Sequence, residues 1–267
     1  MSARPVMAVL ALGLLPAAVV SAQSLEARVA VAGGDVRFTF TARPDVTGNG
    51  HNIIQWSCDN GRCRQQVNGN FSDVDDNDWR SACDTGPVRV ILRRREGRIT
   101  GLRVTVGGRG STTTTATDLG RVAAPEAARY LLTLALRLEG NVGKEAVFAA
   151  TLADSATVWP ELLRLARNRD VPQETRRTAV FWVSQAAESA ATRGLSDLVG
   201  EDAEDREVRE SAVFALSQRP REEGVPVLIR IAQSNRDPEI RKQAIFWLGQ
   251  SNDPRALALF EQLLTRP

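Results

Sequence analysis

The sequence predicts an α+β protein. A small antiparallel β domain over residues 23–117 is followed, over 118–267, by an α-solenoid of about four helical hairpins. Three observations carry this. Val36, Phe38 and Phe40 alternate with Arg37, Thr39 and Thr41, the period-two pattern of a half-buried strand. From Pro125 onward that alternation stops, and Ala, Leu, Arg and Glu dominate. A seven-residue segment then recurs: AVFAATL from Ala146, AVFWVSQ from Ala179, AVFALSQ from Ala212 and AIFWLGQ from Ala244, at spacings of 33, 33 and 32 residues.

The chain opens on a targeting pattern. Arg4 precedes an apolar run from Val6 to Val20, and Val20-Ser21-Ala22 ends it with small residues. This reads as a signal peptide over residues 1–22, cleaved after Ala22, so the protein is expected to be exported, periplasmic or extracellular. A retained membrane anchor is the competing reading. The run is 15 residues long, against the roughly 20 that cross a bilayer. No later stretch is long and apolar enough to span a membrane.

Residues 24–116 read as β. Gly33-Gly34-Asp35 makes a turn before Val36. A hairpin is expected from Ile53 to Val67, turning at Asp59-Asn60-Gly61-Arg62. Another is expected from Val88 to Val106, turning near Glu96-Gly97. Gly107 to Thr117, rich in Gly and Thr, reads as the exit loop.

In the second half, Pro125 to Leu138 is expected to form a helix covering the open end of the stack. Each recurring segment is a first helix. A second follows, with Leu162, Leu163 and Leu165 returning 66 residues later as Leu228, Ile229 and Ile231. One such pair cannot bury its apolar stripe alone, so a fixed period of this length means stacked units sharing a core. Asp237-Pro238 supplies an N-cap and a first-turn Pro, Gly249 suits a helix C-terminus, and Asn252-Asp253-Pro254 restarts a helix.

Asp-Pro-Glu-Ile-Arg (Asp237 to Arg241), the Ala three residues after that Arg, and Leu-Gly-Gln-x-x-Asp-Pro-Arg-Ala (Leu248 to Ala256) give the pattern a likeness. It resembles HEAT repeats, of the short type first noted in phycobilisome lyases, over roughly residues 142–264. The whole-chain layout is similar to that of exported bacterial HEAT-repeat proteins. The resemblance implies an α-solenoid used for binding protein, and it carries over no chemistry.

Composition narrows function. The net charge is +2, with 34 basic and 32 acidic residues, so nucleic acid is not an expected partner. One histidine, His51, and three cysteines leave little for a zinc site or a histidine-based triad. Neither a cofactor nor a metal site is expected. Asp73, Asp75 and Asn77 match alternate positions of a calcium loop, but Asp78 stands where glycine is needed and Asp84 replaces the bidentate Glu. Gly107-Gly108-Arg109-Gly110-Ser111 lacks the Lys of a phosphate loop. The chain is therefore expected to be a non-catalytic binding or scaffolding protein with another protein as partner. The alternative is an extracytoplasmic hydrolase or lyase whose carboxylates leave no local signature.

Several constellations remain. Phe148, Phe181, Phe214 and Phe246 hold one position in four copies. On a helical wheel Phe181 lies about 200° from Ala179, away from its own core. The rings either pack between adjacent first helices or under another part of the chain, or they form an apolar stripe for a partner or for the β domain. Trp182 and Trp247 share the next position, on the core side. Arg176, Arg209 and Arg241 form a second ladder, expected as solvated ion pairs with Glu174, Glu207 or Glu239. Cys58 and Cys63 flank a turn and are the favoured disulfide. That loop stabilises by roughly 2 kcal/mol, against roughly 3 for a bridge to Cys83, and the connectivity stays open.

Overall fold

The computed structural model describes residues 23–48, 50, 53–59, 62–67, 70–72, 85–107, 115–201 and 204–265, with the backbone alone over 53–72. The expected signal peptide over residues 1–22, His51, the acidic run from Asp73 to Asp78, Cys83 and Asp84 lie outside the described residues, as do the side chains of Cys58 and Cys63.

The first element corrects the all-β expectation for residues 24–116. It is a helix, α1 (Leu25–Val31), in which the Ser24 hydroxyl accepts a hydrogen bond from Ala27 N and Leu25 and Val29, one turn apart, are buried. Strands follow: β1 (Val36–Phe40), β2 (Val46–Gly48), β3 (Ile53–Asp59), β4 (Arg62–Val67), β5 (Asn70–Ser72), β6 (Val88–Arg95), β7 (Arg98–Val106) and β8 (Thr117–Arg121). They make two four-stranded sheets, in the orders β7-β6-β1-β8 and β2-β3-β4-β5.

Both expected hairpins form. β3 pairs antiparallel with β4, and β6 with β7 through Glu96 and Gly97, both at positive φ as a two-residue turn demands. The first sheet is not purely antiparallel, because β8 joins β1 in parallel. β8 also takes residues from both sides of the expected boundary at 117. Its sequence, Thr-Asp-Leu-Gly-Arg, shows no alternation because it is a largely exposed edge strand, held by its backbone. Thr117 N donates to Asp35 O at 2.8 Å and Val122 N to Thr39 O at 2.8 Å.

Among the described residues, nine helices follow the strands. α2 (Ala124–Arg137) covers the end of the stack as expected. Four hairpins come next: α3 (Gly140–Thr151) with α4 (Trp159–Arg167), α5 (Gln173–Ser184) with α6 (Ser189–Gly200), α7 (Arg206–Ser217) with α8 (Arg221–Ser234), and α9 (Pro238–Gln250) with α10 (Pro254–Thr265). First helices stack on first helices and second on second. Ala146, Ala179, Ala212 and Ala244 are each fully buried, the small residue letting neighbouring helices approach. Gly249 lies inside α9; the left-handed residue that ends this helix region is Asn252 (φ 51°).

Sheet and helices share one core. Val36, Phe38, Phe40, Val88, Val90 and Leu92 are fully buried on the inner face of the first sheet, and the Phe38 ring meets Tyr130 of α2 at 6.4 Å. The backbone joins in: Arg43 N donates to Leu152 O at 2.9 Å and Asp154 N to Thr41 O at 3.0 Å, across an isolated bridge between Ala42 and Ala153. Burial raises the Tyr130 hydroxyl to about 12, helped by Glu26 and opposed by Arg94 and Arg137.

Candidate partner-binding face of the repeats

The four repeated phenylalanines stand on successive first helices. Phe148, Phe181 and Phe214 are half-buried, and Phe246 is 54% exposed. Phe148 packs on Trp182 of the next first helix at 5.4 Å, and Phe214 on Trp247 at 4.9 Å. Each of these tryptophans also meets the phenylalanine beside it edge-on, Phe181 at 5.2 Å and Phe246 at 5.0 Å. Such offset and edge contacts suit the ring quadrupoles. Trp182, at 6% exposure, is core as expected; Trp247, on the last first helix, is half-buried. The ladder is therefore an inter-repeat seam with one edge open to solvent.

The arginine ladder differs from its expectation of solvated pairs with Glu174, Glu207 and Glu239. Arg176 and Arg209 are buried, at 3% and 6% exposure. Their partners lie ahead of the next first helix. Arg176 pairs with Glu204 at 3.2 Å and with Asp205, the N-cap residue of α7. Arg209 donates to Asn235 Oδ1 at 3.4 Å and to Asp237, the N-cap residue of α9, at 3.3 Å, while its Nε donates to Val199 O at 3.0 Å. Burial raises the Glu204 carboxyl and Arg176 only partly offsets it; the hydrogen bond from Arg176 holds Asp205 low. Arg241 instead donates to Asn235 O and Arg236 O beside its own helix.

A further buried arginine gave no sequence signal. Arg219 donates to Thr192 Oγ1 at 2.8 Å, to Ser184 O and Glu188 O at 3.1 Å, to Ala186 O, and to Glu223 at 2.9 Å. It ties the α5–α6 turn to the α7–α8 turn. The matching position one repeat earlier is Ala186, so periodicity hides it.

Residues 192–267, from within α6 to beyond α10, match the family of HEAT repeats. Over this span the helical stack is a HEAT-repeat array. HEAT repeats are a protein-interaction and scaffold architecture, and the first helices α3 and α5, ahead of the matched span, carry the same buried Ala and seam Phe. Comparison with curated proteins gives no match. No helix among the described residues is long and apolar enough to cross a membrane.

On the other side of the HEAT array, α6 and α8 leave a groove of about 410 Å³ lined by Ser196, Val199, Arg230, Ile231, Ser234 and Asn235, among others. Arg230 donates to Ser196 Oγ at 3.4 Å across it. This lining offers hydroxyls, an amide and positive charge, and holds no carboxylate pair for acid–base work. No cluster of three or more metal-ligating side chains occurs among the described residues. In the second sheet, Cys58 and Cys63 occupy directly opposed positions of β3 and β4.

Proposed function

We propose that the protein is an exported, non-catalytic scaffold that binds another protein along the first-helix face of its HEAT array, through the open edge of the Phe148, Phe181, Phe214 and Phe246 seam. The observation that carries this reading is the seam itself: an aromatic row half-open to solvent, ending at Phe246, on an architecture used for binding protein. Large apolar groups left in contact with water mark interaction surfaces, and aromatic rings are the usual anchors of such surfaces. Export rests on the Arg4 to Ala22 pattern, and the opposed backbone positions of Cys58 and Cys63 suit a bridge that an oxidising compartment would allow.

The test is cross-linked capture from the native host with the wild type and with Phe246→Ser. A partner lost in the variant, at unchanged thermal stability, supports the reading. The same partners captured by both sinks it. N-terminal sequencing of the native protein checks export separately: a start at or near Gln23 is expected, and an intact Met1 in a cytosolic fraction ends that part.

A further inference from the structure

The net charge of +2 conceals a strong asymmetry. The β6–β7 hairpin, residues 88–106, carries six arginines against the single Glu96, five net positive charges in 19 residues. Arg94 is spent inward, donating to Val29 O and Ala32 O to hold α1. Arg89 is half-buried and donates to Gly107 O, and the other four are displayed. On the face of the first sheet opposite α2, Ile91 sits directly between Arg37 of β1, which pairs with Asp118 of β8 at 2.9 Å, and Arg103 of β7, with Arg89 and Arg93 two residues away along its own strand. Arg93 lies across Gly101, whose missing side chain gives it room: a Cβ there would be 3.4 Å from the Arg93 side chain. Arg95 and Arg98 face each other at the hairpin end.

Four of these, Arg93, Arg95, Arg98 and Arg103, are exposed. Among the described residues no carboxylate pairs with any of them. The HEAT array treats its arginines differently: Arg164, Arg167, Arg176, Arg177, Arg209 and Arg255 each hold an acidic partner. Concentrated positive charge without internal partners raises a field of several kT, which an anionic surface neutralises.

We infer that the outer face of the β6–β7 hairpin docks on an anionic phospholipid surface. Charge complementarity argues for an anion, and the layout argues for a plane. The arginines of the hairpin lie on both of its strands, Arg89, Arg93 and Arg95 over about 20 Å of β6 and Arg98 and Arg103 beside them on β7, about 5 Å away. A single nucleic-acid strand would be met by aromatic stacking rings, and among the described residues this face has none. Long arginine side chains on a flat sheet reach headgroup phosphates without penetration, and Ile91 is the one large apolar side chain among the described residues at the centre of this face. Because the opposite face of the sheet is packed on α2, docking leaves the HEAT array standing away from the bilayer.

The experiment is flotation of the chain from Gln23, which holds every described element, with phosphatidylcholine vesicles and with vesicles of phosphatidylcholine and phosphatidylglycerol. Binding to the anionic vesicles alone, abolished by high salt, is expected. Arg93→Gln with Arg103→Gln should lower the partition coefficient roughly tenfold or more, each basic residue near such a surface contributing a several-fold factor. The same two positions changed to Lys should bind as the wild type, since a charged plane reads charge and not the guanidinium fork. Arg193→Gln with Arg230→Gln, on α6 and α8, should change nothing. The inference is overturned by equal binding to neutral vesicles or by an unaffected Gln variant. It is also overturned by a Lys variant as weak as the Gln one, which would point to a specific acidic protein. Binding to a soluble polyanion such as heparin with no binding to vesicles overturns it too. Circular dichroism of each variant, matching the wild type, keeps the comparison among folded proteins.

Discussion

Phe214 and Trp247 belong to successive repeats, yet their rings lie 4.9 Å apart, closer than either neighbouring aromatic pair within a repeat. The aromatic side chain of one first helix is thus part of the packing surface of the next. Phe148 and Trp182 repeat the relationship two units earlier. Where the tryptophan position is alanine, as at Ala215, the alanine is fully buried.

Trp182→Ala should destabilise the protein by about 3–5 kcal/mol, the usual loss for a buried aromatic. Trp247→Ala should lose less, because that ring is half-buried. Urea denaturation of both variants checks the order. An equal or larger loss at Trp247 would show that the last junction is buried more deeply than described here.

Two glycines should respond in opposite directions. A Cβ on Gly224 would stand 2.3 Å from Leu216 O, a backbone atom that cannot yield cheaply. Gly224→Ala should therefore cost about 1–3 kcal/mol through overpacking. Nothing lies within 4 Å of a Cβ on Gly249, inside α9. Gly249→Ala should stabilise by up to about 1 kcal/mol through helix propensity. Thermal melts of the pair that shift in the same direction would contradict the packing of α8 on α7.

Acid should loosen the last hairpin. Hydrogen bonds from the Arg255 side chain, together with its backbone N–H and charge, overcome burial and hold Asp253 at about 2, below its ordinary 3.8. A lowered carboxyl stabilises the folded state fully above its unfolded pKa. That contribution is lost as pH falls from 3.8 to about 2. Denaturation midpoints across this window should fall more steeply for the wild type than for Asp253→Asn. Parallel curves would remove Asp253 from the acid response.

Cys58 opposite Cys63 in the β3–β4 register predicts one free thiol, Cys83, in protein purified from an oxidising compartment. Thiol titration in denaturant, followed by peptide mapping, reads this directly. Three free thiols, or a mapped bridge to Cys83, would refute the pairing.

The repeats were legible in sequence because each unit must solve the same packing problem with the same residues. A fully buried Ala at 146, 179, 212 and 244 and a seam Phe two positions later leave a period that stacked helical units impose. The β6–β7 hairpin was equally plain, since one face is buried and the other wet. β8 was not, because an edge strand exposed on both faces has no alternation to show. α1 was missed because seven residues with two buried side chains resemble a strand as easily as a helix. The arginine ladder was visible but its partners were not: Arg176 finds Glu204, and Arg209 finds Asp237, each 28 residues away. Only the stacking of one hairpin on the next sets that distance. The charge of the hairpin was hidden by averaging over the whole chain.

The sheet packed on α2 gives the molecule a direction. One end of the array is permanently occupied by a structure unlike any repeat, so units can be gained or lost only beyond it. A duplication or deletion of one unit between α5 and α8 would remake junctions of the same kind, arginine to N-cap and phenylalanine to the following helix, without disturbing the sheet. The reach of the binding face and the identity of its base are therefore separable traits, and a lineage can lengthen or shorten the one while keeping the other fixed.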